Sequence, residues 1–173
     1  MTTANDIIVK HWFALYTKPR HEFKAALQLE SVSIEHYLPA LTVKKQWGDR
    51  KKKITEPLFR GYIFIYSNER ERWLAVSQST IVRTICFNGK PSVIPEWQIE
   101  SLKKMLSESP EVFVSDKIEI GTKVKIVDGP FKDVIGVVTG EQEDKWLAVS
   151  IDLLRCSVKV RLPKESVLKF LEK

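Results

Sequence analysis

The hydrophobic period of this chain changes once, at an acidic stretch, SESPEVFVSD (107–116). Before it, runs with the two-residue period of strands alternate with runs at helical spacing. After it, short alternating runs are separated only by turn residues. In 173 residues, two such patterns predict two domains. We place the first at 1–107, a linker at 108–116 and the second at 117–173. At full stretch the linker would span about 30 Å.

In the first region, WFALYT (12–17) reads as a strand. RHEFKAALQLESV (20–32) reads as a helix, with Phe23, Ala26, Leu27 and Glu30 at helical spacing. HYLPALTV (36–43) is a second strand, and Pro39 predicts an edge or a bend. KKQWGDRKKK (44–53) holds six bases and one acid around a Gly-Asp turn signal, a hairpin tip or a mobile loop. LFRGYIFIY (58–66) is the third strand, ERERWLAVSQ (69–78) a helix and TIVRTICF (80–87) the fourth strand, followed by an NGKP turn. PEWQIESLKKMLSE (95–108) opens with proline and carries Ile99, Leu102, Met105 and Leu106 as an apolar stripe. The order β-α-β-β-α-β-α, with a four-stranded sheet and its helices on one face, predicts an α+β sandwich of ferredoxin-like type.

In the second region, TKVKIV (122–127) turns Val124 and Ile126 inward and Lys123 and Lys125 outward. DGPF (128–131) is a tight turn. VIGVVT (134–139), WLAVSI (146–151) and CSVKVRL (156–162) are further strands, and in the last Val158, Val160 and Leu162 alternate with Lys159 and Arg161. About five short strands in so few residues predict a small barrel, which closes its own edges.

The third strand poses the functional question. As a strand, it points Arg60, Tyr62, Phe64 and Tyr66 to one side and Phe59, Gly61, Ile63 and Ile65 to the other. One side suits a core; the other carries three aromatic rings. RGYIFIY resembles the RNP1 pattern of RNA-recognition domains, in which exposed rings stack unpaired bases. The same rings could pack inside the domain or face a protein partner.

The net charge of +6 is uneven. Residues 1–107 hold 17 Lys/Arg against 10 Asp/Glu, residues 108–116 hold three acids and no base, and residues 117–173 hold 11 bases and 9 acids. The first region therefore carries the attraction for a polyanion. No apolar run approaches the ~20 residues of a membrane span. The segment MTTANDIIVKHW lacks the pattern of a secretory leader, so a cytoplasmic protein is expected. Cys86 and Cys156, 70 residues apart, with three histidines and no CxxC, predict neither a disulfide framework nor a metal site. There is no glycine-rich phosphate loop, paired-histidine metal motif or GxSxG. Glu22 and Glu56 read as ordinary surface or cap residues. We expect a protein without cofactor or catalysis.

GTKVKIVDGPFKDVIGVVTG (121–140) resembles the KOW motif, the first half of an SH3-like barrel. Gly121 leads into the strand, Gly129 and Pro130 make the turn, Phe131 plugs the barrel end, and Gly136 allows close backbone approach. With WFALYTKPRHE (12–22) and EPLFRGYIFIY (56–66), nearly the whole chain resembles the NusG family of transcription elongation factors: an NGN domain, a linker and a KOW barrel. Arg60 stands where a proline is common in the family, and Asp133 where many KOW motifs have glycine. TEPLF and SVIPEWQIESL look like the specialised paralogues, the RfaH-like proteins and the capsule-operon antiterminators of Bacteroides-type bacteria.

The resemblance implies a transcription elongation or antitermination factor. Its NGN domain would seat the clamp coiled coil of RNA polymerase on Tyr16, Phe59, Tyr62, Phe64 and Phe87, with Phe59, of opposite parity, either anchor or core. Lys18, Arg20 and Lys24 would face the non-template DNA strand of the elongation complex. His21 would stack on a base or stand solvated. Lys44, Lys45, Arg50, Lys51, Lys52 and Lys53 would touch upstream duplex DNA or polymerase, or form a solvated loop. The barrel would recruit ribosomal protein S10 or the termination factor Rho, and no membrane. A monomer is expected, with a stable barrel and no helical form. The alternative is an RNA-binding protein pairing an aromatic sheet with a KOW barrel.

Overall fold

Strand β1 (His11–Thr17) alternates apolar residues on both faces, because it becomes a central strand. In a computed structural model describing residues 9–109, 111–140 and 145–171, it is flanked by β5 (Tyr62–Ser67) and β6 (Ile81–Thr84), and β2 (Glu35–Tyr37) pairs with β5. The order β2-β5-β1-β6, with these pairings antiparallel, is that of a ferredoxin-like sheet. Helices α1 (Glu22–Ser31) and α2 (Glu69–Val76) cover one face. Phe13, Leu15, Ile63 and Ile65 meet Ala25, Leu29 and Ala75 there in a buried cluster. α2 begins in a capping box, with Asn68 accepting from the Glu71 N–H and Glu71 accepting from the Asn68 N–H.

The α1 stripe is rotated from its expected position. Ala25 and Leu29 face the core, whereas Phe23 and Leu27 are exposed. The predicted strand 36–43 is two elements, because Pro39 has no N–H for the ladder and the chain leaves the sheet there. After it, β3 (Ala40–Trp47) pairs with β4 (Arg50–Pro57) over eight residue pairs in a separate two-stranded ribbon. Residues 44–53 are thus the ordered arms and turn of a hairpin, closed at Gly48, whose φ is +60°. The third strand begins at Tyr62, later than expected. Leu58–Gly61 is a turn, with the Tyr62 N–H donating to the Phe59 carbonyl at 3.2 Å. The predicted strand 80–87 ends at Thr84, and Cys86–Phe87 (β7) pairs with Lys90–Pro91 (β8) around Asn88 and Gly89, both in left-handed conformation.

Two compact units divide at Val93/Ile94, within the two-residue strand β9 (Val93–Ile94) and earlier than the expected 107. Helix α3 (Glu96–Glu108) begins after Pro95 and buries Ile99, Leu102 and Met105. It groups with the second unit, where Gln98 Nε2 donates to Asp152 at 2.8 Å and Ser101 Oγ accepts from the Ile135 N–H at 3.0 Å. The predicted linker is also partly structured: β10 (Phe113–Ser115) pairs with the barrel strand β14 (Cys156–Arg161), and its acidic surroundings hid it.

The barrel sheet runs β10, β14 (Cys156–Arg161), β13 (Trp146–Ile151), β12 (Ile135–Thr139), β11 (Thr122–Asp128), β15 (Val167–Phe170). It has six strands rather than five. Val124, Ile126, Val158 and Val160 are fully buried, as their alternation requires, and Phe131 is buried behind the turn. A Cβ on Gly136 would lie 2.5 Å from the Ala148 carbonyl oxygen, so two strands approach there as only glycine permits.

Candidate functional site

Register sets the rings of the first unit in cross-strand pairs. Trp12 opposes Tyr66, Ala14 opposes Phe64, and Tyr16 opposes Tyr62. Opposed residues share a face, so the six project away from α1 and α2. The Trp12 and Tyr66 rings are 5.4 Å apart and the Tyr16 and Tyr62 rings 5.6 Å. Ala14 leaves room for Phe64, which is met by Tyr37 in a stack and by Phe59 edge-on at 5.9 Å.

These environments divide the expected anchors. Phe64 is fully buried and Phe59 nearly so; both are packing residues in this structure, not free rings. Phe59 is there because it belongs to a turn, where strand parity does not apply. Tyr16 and Tyr62 are half-buried and remain available at one end of the sheet. Phe87, 72% exposed, lies on the β7–β8 hairpin outside the ring-bearing sheet.

The end of the sheet holding the tyrosine pair is tightly built. The Thr17 N–H donates to the Gly61 carbonyl at 2.8 Å, and the Lys18 N–H to the Thr80 carbonyl at 2.9 Å. Gly61 has φ +82°, and a Cβ on it would stand 3.1 Å from Tyr16 Cε2. Glu22, expected on the surface, is buried, and its Oε1 accepts from the Gly61 N–H at 2.7 Å. It thereby ties the first turn of α1 to the turn before β5.

The basic turn follows directly. Lys18, Arg20 and Lys24 are exposed, and Arg20 adopts φ +61°, a costly region for a residue with a Cβ. His21 is half-buried at the start of α1. Its Nδ1 lies 2.8 Å from the Pro19 carbonyl; a carbonyl only accepts, so Nδ1 carries the hydrogen. A cleft of about 370 Å³ adjoins this turn, lined by Arg20, Glu22, Phe23, Glu56, Pro57 and Arg60. Glu56 accepts from Lys45 at 2.5 Å, and this bond holds its carboxyl below the ordinary value. Lys44, Lys45, Arg50, Lys51, Lys52 and Lys53 stand exposed on the β3–β4 ribbon, a different element from the turn.

Some surface residues escaped the sequence reading. Arg83 opposes Tyr16 from β6 and is exposed, which puts a cation beside the tyrosine pair. The sequence places Arg83 on the fourth strand, but only the register with β1 sets it opposite Tyr16. Trp47, 72% exposed at the ribbon end, was passed over inside a run of lysines. Among the described residues, no three His, Cys, Asp or Glu are grouped to hold a metal, and no helix is long and apolar enough to cross a membrane.

Comparison with known proteins converges on one family. The family profile described as "Transcription termination factor nusG" matches residues 10–103, more than half of the chain. The transcription termination/antitermination protein NusG of Staphylococcus carnosus is 24% identical over 165 residues, covering 87% of this chain and 90% of that protein. The protein of the same name from Chlamydia trachomatis is 26% identical over 130 residues, covering 74% and 71%. A solved structure of Thermotoga maritima NusG aligns over 90% of this chain and 94% of its own, with 20% identity and a TM-score of 0.47. The chain belongs to the NusG family of transcription termination and antitermination factors.

Proposed function

We propose that the first unit binds RNA polymerase, seating the clamp coiled coil against Tyr16 and Tyr62, and that this binding suppresses pausing or termination. The carrying observation is the half-buried tyrosine pair, braced by Gly61 and flanked by the exposed Arg83 and the basic turn. Tyrosine and arginine dominate protein hot spots because they bury large areas while freezing few rotors. Phe64, on the same face, packs against Phe59 beside this pair, and Phe87 is an outlying contact. Lys18, Arg20 and Lys24 lie along the non-template strand, adding salt-dependent attraction to its phosphates, with His21 beside them as a base-stacking or solvated residue. No bond is made or broken. The factor acts by favouring one polymerase conformation through differential contact.

The barrel recruits a second partner, ribosomal protein S10 or Rho. TEPLF and SVIPEWQIESL favour a specialised factor, for which genome-wide occupancy would be confined to a few transcription units; uniform occupancy would instead mark a general one.

Retention on core RNA polymerase tests the proposal. Loss of a two-residue hot spot costs about 2 kcal/mol or more, a weakening of at least about 30-fold for Tyr16→Ala with Tyr62→Ala. Phe64→Ala is a poor probe, because removing a buried Phe ring costs about 3–5 kcal/mol of stability. Intact polymerase binding with lost affinity for single-stranded RNA would replace the proposal with the RNA-binding alternative.

A further inference from the structure

Strand β10 sits on the barrel as an added strand rather than as part of its core. It ends the sheet order, so among the described residues only β14 pairs with it. The pairing runs over three residues: Phe113 opposes Lys159, Val114 opposes Val158 and Ser115 opposes Ser157. The two large side chains stay half in water, Phe113 51% and Val114 44% exposed, whereas Val158 is fully buried. Stabilisation by apolar burial scales with the area removed from water, so these two side chains hold β10 with about half of what full burial would supply.

Opposed residues share a face, and so do residues two apart on one strand. Phe113 opposes Lys159, and Arg161 opposes Trp146, so the outer face of β10, β14 and β13 carries all four together. The Phe113 ring meets the Trp146 ring edge-on, with centroids 5.3 Å apart. Lys159 Nζ lies 5.9 Å and Arg161 Cζ 5.5 Å from the Trp146 ring centroid, so two cations flank one indole. Like charges this close repel, and an anion between them offsets the repulsion. The segment that carries β10 supplies acids: Glu119, just after it, pairs with Lys159 at 3.0 Å, and residues 108–116 hold three acids and no base. Continuing the β10–β14 register by two residues sets the position of Glu111 level with Arg161. Glu111 itself is exposed and lies outside the strand. The platform therefore matches an extended strand with an acid two residues before an aromatic ring, and β10 fills it only in part.

We propose that the edge of β14, with its Trp146 platform, is a docking site for an extended acidic peptide bearing an aromatic residue, and that β10 is its resident occupant, exchanged for such a strand of a partner protein. The partner's backbone takes up the ladder that β10 vacates. Its ring replaces Phe113 against Trp146, and its acid two residues earlier lies against Arg161. A strand is favoured over an unpaired nucleotide because the site offers a backbone ladder besides a ring, and its resident occupant is itself a strand. β10 is tethered on both sides and competes at an effective concentration in the millimolar range, so the site opens once β10 loosens. The inference rests on the barrel alone and does not depend on the polymerase reading.

Fluorescence anisotropy of a labelled peptide, SESPEVFVSD (107–116), against the full chain tests this. The parent should bind it weakly, because β10 competes. Phe113→Ser with Val114→Ser in the chain removes the side chains that hold β10 and should tighten peptide binding at least about tenfold. In that background, Lys159→Gln with Arg161→Gln should weaken binding at least about tenfold and reduce its salt dependence. Both side chains lie on the outer face, so this variant should melt with its background and lost binding is not lost fold. A peptide carrying Phe113→Ser, or one carrying Glu108→Lys, Glu111→Lys and Asp116→Lys, should not bind. A labelled oligouridylate should bind the released chain more weakly than the peptide does. Hydrogen exchange of the parent gives a check free of substitutions: amides paired between β10 and β14 should exchange at least about tenfold faster than those paired between β13 and β14. Peptide binding no tighter after release of β10, equal binding of the Lys-substituted peptide, a preference for the oligouridylate, or exchange in β10 as slow as between β13 and β14 would each overturn the proposal.

Discussion

Glu22 is the side chain on which the geometry of the tyrosine site depends, and replacing it separates a strap from a surface charge. Its Oε1 receives the Gly61 N–H at 2.7 Å in a buried setting. Gly61 also accepts from Thr17 and is held at φ +82°, so this bond fixes the turn that delivers Tyr62 beside Tyr16. In Glu22→Ala the Gly61 N–H loses its partner. A hydrogen bond to a carboxylate contributes about 1.5–3 kcal/mol. An acid in the first turn of a helix adds about 0.3–1 kcal/mol. The expected loss is about 2–4 kcal/mol. For a unit of this size each kcal/mol moves Tm by about 4–8 °C, so its transition should fall by at least about 8 °C. Glu22→Gln keeps a carbonyl acceptor of similar reach and should lose about half as much or less. Differential scanning calorimetry of the full chain reads both variants. A Glu22→Ala protein that melts with the parent, or a Glu22→Gln protein as unstable as Glu22→Ala, would refute the strap.

Gly136→Ala should lower the barrel transition by about 1–3 kcal/mol, because its Cβ would meet the Ala148 carbonyl oxygen at 2.5 Å; a silent substitution would contradict that packing. Burial pushes the Cys156 thiol up to about 12, while Cys86 is exposed. Iodoacetamide at pH 8 should therefore modify Cys86 in the native protein and spare Cys156, and equal modification by mass spectrometry would contradict this. The hydrogen bond from Lys159 holds the Glu119 carboxyl below its ordinary 4.5. A carboxyl with a lower pKa in the folded state adds stability above pH 4.5, lost as pH falls through the folded value. The barrel should thus lose stability in acid, and Glu119→Gln should flatten that profile; identical profiles would exclude the contact.

Periodicity exposed most of the architecture because burial imposes it residue by residue. Val124, Ile126, Val158 and Val160 alternate along the barrel strands and are all fully buried. Gly136 announced its close approach, and Ile99, Leu102 and Met105 their helix face. What escaped notice depends on partners distant in sequence. Glu22 looks like any surface carboxylate until the fold brings Gly61, 39 residues on, to its oxygen. Phe59 looked like a strand residue because the left-handed Gly61 that ends its turn is indistinguishable from a strand glycine in sequence. Phe64 and Tyr62 share a parity and differ in burial, because Phe59 and Tyr37 close on Phe64. β10 carries only three paired residues, and its place was decided by β14.

The tyrosine pair as a polymerase socket is tested most directly by photocrosslinking. A benzophenone amino acid in place of Tyr62 should crosslink the full chain to the clamp of core RNA polymerase in an elongation complex, while the same group replacing the exposed Trp73 on α2 should not. Crosslinks from position 73 alone, or from neither position while the chain remains bound, would show that polymerase engages some other surface.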